Sequence, residues 1–235
     1  GAITDIYTNL SGYSGRGVAV VGDTMYYTAV LDSCAVLCLV SYTPPNTPAF
    51  VYSYNLRTHQ NNGALFSVAN GLSAMAFDGT NFYITDDSGV SGRVYKYSLR
   101  GDLLDTIELS LCEASCSGLE YFERGHRGYL VANRGLQKGP YDLYDLSGNL
   151  VTEGFIDPAS LYPSPITSQG ALTPNGIAFD GAHFFTTGWL GNDLEEWSAN
   201  GDFVKEIVIG ASPQAACCGL YDLSFDSDLE ERSEK

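Results

Sequence analysis

Thr173–Phe185, with the sequence Thr-Pro-Asn-Gly-Ile-Ala-Phe-Asp-Gly-Ala-His-Phe-Phe, decides the fold of this chain. It contains an apolar stretch, a tight Asp-Gly turn and a second apolar stretch, which is the pattern of two strands joined as a hairpin. A close copy, Gly-Leu-Ser-Ala-Met-Ala-Phe-Asp-Gly-Thr-Asn-Phe-Tyr, occupies residues 71–83. A repeat of this kind predicts that one small β-unit recurs along the chain.

Three weaker copies extend the repeat. They begin with Gly-Arg-Gly-Val, Gly-Leu-Glu-Tyr and Gly-Leu-Tyr-Asp at residues 15–18, 118–121 and 219–222. The five copies are spaced about 50 residues apart, and a repeat of ~40–50 residues with four strands is typical of a β-propeller. We therefore predict an all-β fold, a five-bladed β-propeller that forms a single domain over residues 1–235. Residues 228–235 are almost entirely polar and are expected to form a solvated tail.

The last repeat is too short to supply four strands by itself. Residues 4–10 alternate between polar and apolar side chains, as a half-buried strand does. We predict circular closure, in which this N-terminal strand pairs into the last blade and removes two exposed strand edges. The proline-containing stretches at residues 41–48 and 157–172 are predicted to be long loops, and such loops on a rigid scaffold commonly form binding surfaces.

The composition limits the partners that this chain can bind. It has 28 acidic and 12 basic residues and a formal net charge of −16, so it would repel nucleic acids and anionic membranes. The expected partner is a small molecule, a carbohydrate or a protein, and we expect a monomer. The sequence has no apolar run of about 18 residues, so no membrane span is predicted.

The six cysteines lie in three close pairs, which favours disulfide bonds and an exported protein, either secreted, periplasmic or on the cell surface. The pairs are Cys34 with Cys38, Cys112 with Cys116, and Cys217 with Cys218. The middle pair lies in a loop-like sequence, so a local bridge is predicted. The last pair could form a bridge between adjacent residues. The first pair lies in a strand-like sequence, where about 13 Å separates the Cα atoms unless the segment turns. Free thiols are the alternative for every pair.

Equivalent residues of the repeats should form a ring, because the innermost strands of a propeller converge on its axis. One residue from each repeat gives the predicted ligand-binding ring, which is Arg16, Ser73, Glu120, Asn175 and Tyr221. A carboxylate, an amide and a phenol that converge with water can hold Ca²⁺ through oxygen ligands. The alternative is a channel plug, in which Arg16 neutralises Glu120 and the other polar side chains complete a hydrogen-bond network.

Several short motifs resemble the first strands of propellers in the NHL-repeat and gluconolactonase (senescence-marker-protein) group. They are Gly-Leu-Glu at residues 118–120, Pro-Asn-Gly at residues 174–176 and the two Phe-Asp-Gly turns. The resemblance implies a divalent metal in the central channel, bound by Glu and by Asn or Asp at the start of the innermost strands. Glu120 and Asn175 match this pattern, and Asp222 matches it with a shift of one residue.

The sequence contains no complete catalytic motif. It has no Gly-x-Ser-x-Gly elbow and no Walker loop, and its three histidines fall in different repeats. We therefore expect an extracellular binding module, rather than an enzyme, that recognises a small ligand, a sugar or a protein through its loop face and central channel. The alternative is a metal-dependent hydrolase of the lactonase type, or a lyase, that acts at the channel with calcium as its cofactor.

Overall fold

The computed structural model describes residues 10–11, 17–30, 49–68, 72–86, 92–113, 116–135, 139–161, 174–188 and 193–208. Within these ranges the chain forms four sheets of four antiparallel strands, and each sheet is one blade. In every blade, strands that are neighbours in sequence pair with one another. The innermost strands of successive blades contact each other in chain order. This arrangement confirms the all-β propeller that the repeat predicts.

The strand bounds follow the repeat closely. Blade 1 comprises β1 (Val18–Val21), β2 (Thr24–Val30), β3 (Ala49–Asn55) and β4 (Gln60–Val68). Blade 2 comprises β5 (Leu72–Phe77), β6 (Asn81–Asp86), β7 (Arg93–Ser98) and β8 (Leu103–Glu108). Blade 3 comprises β9 (Leu119–Arg124), β10 (Arg127–Asn133), β11 (Tyr141–Asp145) and β12 (Leu150–Ile156). Blade 4 comprises β13 (Pro174–Phe179), β14 (His183–Gly188), β15 (Asp193–Ser198) and β16 (Phe203–Val208).

Two of the predicted features lie largely outside the described residues. The fifth blade was predicted from residues 219–226 and from the strand at residues 4–10, of which only Leu10 is described. Of the two predicted long loops, residues 41–48 are outside the described ranges. The second contributes a short 3₁₀ helix, Pro158–Leu161, that follows blade 3.

The hydrophobic core lies between neighbouring blades rather than within one sheet. Aromatic side chains dominate the contact between blades 3 and 4, where Phe122 packs against Phe184 with 5.0 Å between ring centroids. Between blades 2 and 3, Tyr83 stacks on Tyr121 with 6.0 Å between centroids. Full burial of one such side chain stabilises the fold by about 1.5–3 kcal/mol, so the blades are held together mainly by apolar contact.

The two Asp-Gly turns that mark the repeat are confirmed. The carboxylate of Asp78 accepts hydrogen bonds from the amides of Thr80 at 2.8 Å and Asn81 at 2.6 Å. Asp180 makes the equivalent bonds to the amides of Ala182 and His183. The glycines after these aspartates have φ values of 87° and 96°, a left-handed conformation that glycine adopts at little cost. The turn sequence is therefore set by local backbone chemistry.

A buried polar contact recurs at the start of each innermost strand and fixes the correspondence between blades. A side-chain oxygen of the second strand accepts a hydrogen bond from an amide of the first. The four donor and acceptor pairs are Gly17 N and Thr28 Oγ1 (2.9 Å), Ala74 N and Thr85 Oγ1 (2.8 Å), Gly118 N and Asn133 Oδ1 (3.3 Å), and Gly176 N and Thr187 Oγ1 (3.0 Å). We call these contacts the strand caps. Gly17, Ala74, Gly118 and Gly176 therefore occupy equivalent positions.

The two faces of the propeller have different connections. The lower face, where the innermost strands end, has tight turns, at residues 22–23, 56–59, 78–80, 99–102, 125–126, 146–149, 180–182 and 199–202. On the upper face, where those strands begin, the structure describes residues 109–113, 116–118, 134–135, 139–140 and 157–161 of the connections between strands.

Candidate functional site

Polar residues lie at or just before the starts of the innermost strands, at the upper mouth of the central channel. The strand caps place Ser73 of β5 and Asn175 of β13 at equivalent positions, as the predicted ring requires. The equivalent residue before β9 is Ser117. Three predicted residues, Arg16, Tyr221 and Asp222, lie outside the described residues. Their membership of the ring stays a prediction.

Glu120 does not lie at the level of Asn175. It pairs with Val131 in β10, while Gly118 is the residue whose amide is capped by Asn133. Glu120 thus lies three residues after Ser117, which is the residue of blade 3 equivalent to Asn175. Glu120 is level with Ala76 in blade 2 and Ala178 in blade 4. The repeat motifs in the sequence align Gly118 with Gly71, whereas the strand caps of the structure align Gly118 with Ala74.

Side-chain amides and hydroxyls line the mouth where blades 3 and 4 meet. The Nδ2 group of Asn133 donates a hydrogen bond to Ser117 Oγ at 2.8 Å, while its Oδ1 atom caps β9. Asn175 is fully buried beside this pair of residues. A Cβ atom on Gly118 would lie 2.3 Å from the carbonyl oxygen of Asn175, so the close approach of the two strands requires glycine here. Sequence reasoning missed Ser117 and Asn133.

The Glu120 carboxyl bridges the innermost strands of blades 3 and 4. Its Oε1 atom accepts a hydrogen bond from the amide of Tyr121 at 2.7 Å, and its Oε2 atom accepts one from the amide of Phe179 at 3.2 Å. In an antiparallel ladder, the amides of successive residues point to opposite sides of the strand. Because the Asp180 amide bonds to His183 O at the start of β14, the Phe179 amide points away from β14 and toward the channel. Glu120 therefore satisfies a channel-facing amide of the neighbouring blade.

Burial raises the pKa of Glu120 from its ordinary value of 4.5 to about 8, although the two amide hydrogen bonds act in the opposite direction. The carboxyl is then largely neutral at pH 7. A neutral carboxyl whose oxygens already accept hydrogen bonds is a weak ligand for Ca²⁺, which prefers carboxylates. Across the described ranges, no group of three His, Cys, Asp or Glu side chains is arranged to hold a metal ion. The metal set of Glu120, Asn175 and Asp222 remains a prediction.

A second buried acid lies between blades 3 and 4. Glu195 of β15 accepts a hydrogen bond from Thr186 Oγ1 at 2.8 Å, and the same oxygen of Thr186 accepts one from Trp197 Nε1 at 2.8 Å. Trp197 packs in the apolar core between these blades, which places Glu195 on the same face of its strand. Sequence reasoning missed this group. Its signal in the sequence is that Glu195 lies two residues before Trp197, and therefore on the same face of the strand as that aromatic residue.

A disulfide bond closes the loop that leads into the mouth. Cys112 and Cys116 are bridged, with 6.2 Å between their Cα atoms, and this confirms the predicted local pair. Both cysteines are buried. The carbonyl oxygen of Cys116 accepts a hydrogen bond from Thr85 Oγ1 at 2.8 Å, so the loop is attached to the cap of blade 2.

The other four cysteines lie outside the described residues; they are Cys34, Cys38, Cys217 and Cys218. The bridge between the adjacent residues Cys217 and Cys218 therefore stays a prediction. Among the residues that the structure describes, Cys112 and Cys116 form one disulfide bond.

Comparisons with known proteins identify the fold. No protein-family model matches the chain, and no curated protein matches it. A glutaminyl cyclase from Myxococcus xanthus has a similar structure, with a TM-score of 0.52 and 15% identity over 82% of this chain and 69% of the other. A protein of unknown function from Bacteroides thetaiotaomicron gives a TM-score of 0.53 and 18% identity over 92% of this chain and 55% of the other.

A third similar structure is the β-propeller domain of Cps50 (Swd1) from Myceliophteria thermophila, with a TM-score of 0.48 and 16% identity over 89% of this chain. This chain spans 59% of the length of that domain. The two structures with TM-scores above 0.5 share 15% and 18% identity with this chain, and likeness at that level shows the fold alone. In the part of the chain that the structure describes, no helix has the length and apolar character needed to cross a membrane.

Proposed function

We propose that this chain is a binding module that recognises a neutral, hydroxyl-rich ligand, such as a sugar, at the upper mouth of its channel. The observation that carries the proposal is the chemistry of the mouth, where the half-buried Ser117 and the buried Asn133 and Asn175 carry hydroxyl and amide groups without formal charge. Amides and hydroxyls both donate and accept hydrogen bonds, which suits the hydroxyl groups of a carbohydrate. Ser117 lies in the described connection that leads into β9, and such loops on a rigid scaffold commonly bind ligands.

The metal-dependent hydrolase is the less favoured alternative. Its central residue would be Glu120, but both oxygens of that carboxyl accept backbone hydrogen bonds. Calcium would have to displace these bonds and remove the proton that burial favours. The resemblance to the NHL-repeat and gluconolactonase group is retained as a proposal, and it is supported by the short motifs at the starts of β9 and β13.

We also propose that the propeller has five blades, closed by the N-terminal strand. Ser11 supports this closure, because its amide donates to Tyr27 Oη at 2.8 Å and its Oγ atom accepts from Asn61 Nδ2 at 2.7 Å. Tyr26 packs toward blade 2, and side chains alternate along a strand, so Tyr27 faces the opposite side of blade 1. The N-terminal segment thus reaches the side on which a fifth blade would pack. The bridged Cys112–Cys116 loop supports export.

Truncation tests the closure. Deletion of residues 1–9 should lower the melting temperature and broaden the unfolding transition, because the last blade would lose its closing strand. Deletion of residues 228–235 is the matched control and should change neither. Equal effects of the two deletions would contradict the five-bladed arrangement.

A glycan array followed by calorimetry tests the ligand class. We expect neutral oligosaccharides to bind, and sialylated or sulfated ones to bind more weakly because of the acidic surface. Ser117→Ala should weaken binding about fivefold, the effect of about one hydrogen bond. Ser147→Ala, in an exposed turn of the lower face, is the control. Binding that Ser117→Ala leaves unchanged, or an array on which no neutral glycan binds, would overturn the proposal.

A further inference from the structure

The turn between the first and second strands of blade 3, on the lower face, carries several basic side chains in an otherwise acidic protein. Arg124 ends β9 and Arg127 begins β10, and the turn between them consists of Gly125 and His126. The chain has only 12 basic residues against 28 acidic ones, yet two arginines and a histidine fall within this short segment. We name residues 124–127 the cationic tip. It lies on the face opposite the proposed ligand site and does not depend on that proposal.

The cationic tip breaks two local rules of sheet stability. Arg124 and Arg127 are directly opposite each other across the strand pair, and like charges in that position destabilise a sheet. His126 has a φ of 62°, in the left-handed region where a two-residue hairpin turn favours Gly, Asn or Asp. A segment that departs from the residues its geometry favours is a candidate functional segment, even where contacts of Arg124 offset part of the cost.

The base of the tip is fixed, while its end projects into solvent. The Arg124 guanidinium donates a hydrogen bond to the carbonyl oxygen of Ala199 in blade 4 and lies over the ring of Phe122 at 5.4 Å. The His126 side chain is fully exposed, with its Nδ1 atom 3.7 Å from an oxygen of Glu123. Arg127 is also exposed. The tip therefore presents an arginine and an imidazole on a rigid hairpin.

The equivalent turns of the neighbouring blades are acidic. Asp78 in blade 2 and Asp180 in blade 4 occupy the turns between the first and second strands, where their carboxylates accept bonds from the turn amides. Blade 3 lacks such an aspartate and has a two-residue turn instead. The tip is thus a local cationic site between two acidic turns on the lower face.

We propose that the cationic tip is a docking site for an acidic segment of a partner protein. Arginine binds carboxylates through paired, charge-assisted hydrogen bonds, and the imidazole adds a further donor. A compact acidic segment can contact the tip alone. A long polyanion, such as a sulfated glycan, would extend past the tip toward the acidic turns of blades 2 and 4 and would be repelled by them.

An NMR titration with an acetylated and amidated tri-glutamate peptide tests this proposal in low salt. The amides of residues 124–127 should shift with a Kd of about 1 mM, which weakens as salt is added. Arg127→Gln should raise that Kd at least threefold. Arg100→Gln is the matched control, because it removes an equal charge from an exposed turn of blade 2. His126→Asn should weaken binding while raising the melting temperature by about 1–3 °C, since Asn tolerates the left-handed conformation.

Three results would overturn the proposal. The first is the absence of shifts at residues 124–127 when the peptide is added. The second is an equal loss of affinity in Arg100→Gln and Arg127→Gln, which would indicate attraction by overall charge alone. The third is tighter binding of a heparin hexasaccharide than of the peptide at the same amides, which would assign the tip to a glycan.

Discussion

Replacing Glu120 by glutamine should change how the stability of this protein depends on pH. Burial raises the pKa of Glu120 from 4.5 to about 8, so between these values the folded chain binds a proton that the unfolded chain has lost. The contribution of Glu120 to the free energy of unfolding is fully present below about pH 4.5 and is lost as the pH rises through about 8. Glutamine has a similar shape and does not titrate, so the variant should lack this dependence.

The size of the effect follows from the shift. Each pKa unit corresponds to about 1.36 kcal/mol, so the full shift sets an upper bound of about 5 kcal/mol between pH 4.5 and pH 8. The Glu120 side chain keeps some solvent contact, and we therefore expect about 2–3 kcal/mol. For a chain of this length, that difference corresponds to about 5–10 °C in melting temperature.

Melting temperatures of the wild type and Glu120→Gln should be measured from pH 5 to pH 9. The wild type should lose stability relative to the variant as the pH rises. Glu206→Gln, which removes an exposed acid from β16, is the control and should follow the wild type. Parallel curves for the wild type and Glu120→Gln would refute the neutral carboxyl. A calcium-dependent rise in melting temperature at pH 7 that Glu120→Gln abolishes would refute it too and would support the metal site.

Two further predictions concern the contacts between blades. Thr85→Val should lower the free energy of unfolding by about 2–4 kcal/mol, because Thr85 both caps β5 and donates to Cys116 in the loop before blade 3. Thr28→Val breaks the cap of blade 1 alone and should lower it by about 1–2 kcal/mol, as measured by urea unfolding. Gly118→Ala should prevent cooperative unfolding of the protein in calorimetry, since its Cβ atom would lie 2.3 Å from a carbonyl oxygen of β13. Equal costs of the two threonine variants, or a normal transition in Gly118→Ala, would contradict these inter-blade contacts.

The hairpins could be predicted from the sequence because their chemistry is local. An aspartate that caps its own turn and a glycine with positive φ leave the same sequence signature in blades 2 and 4. The local bridge between Cys112 and Cys116 was predictable for the same reason, since a loop-like sequence lets the two residues approach.

The register of blade 3 could not be predicted in this way. Its hairpin has a two-residue turn in place of the Asp-Gly turn, so the position that anchors the repeats of blades 2 and 4 is missing. The feature that does fix the register is the strand cap, which joins residues from different strands, such as Gly118 and Asn133. A threonine or asparagine at one position of each second strand is a weak signal in sequence and becomes clear only when the strands are paired.

The correct register changes which residues of the other blades are equivalent to Glu120. The equivalent residues in the other described blades are Ala19, Ala76 and Ala178, all of them buried. The fold therefore accepts alanine at this position, and a carboxyl is not needed to build a blade. Among the four described blades, its presence in blade 3 places a protonatable group beside the same pair of blades that carries the amide-rich mouth. A ligand that enters from the upper face would meet both features at the contact between blades 3 and 4, which makes this contact the part of the channel where substitutions should alter binding most.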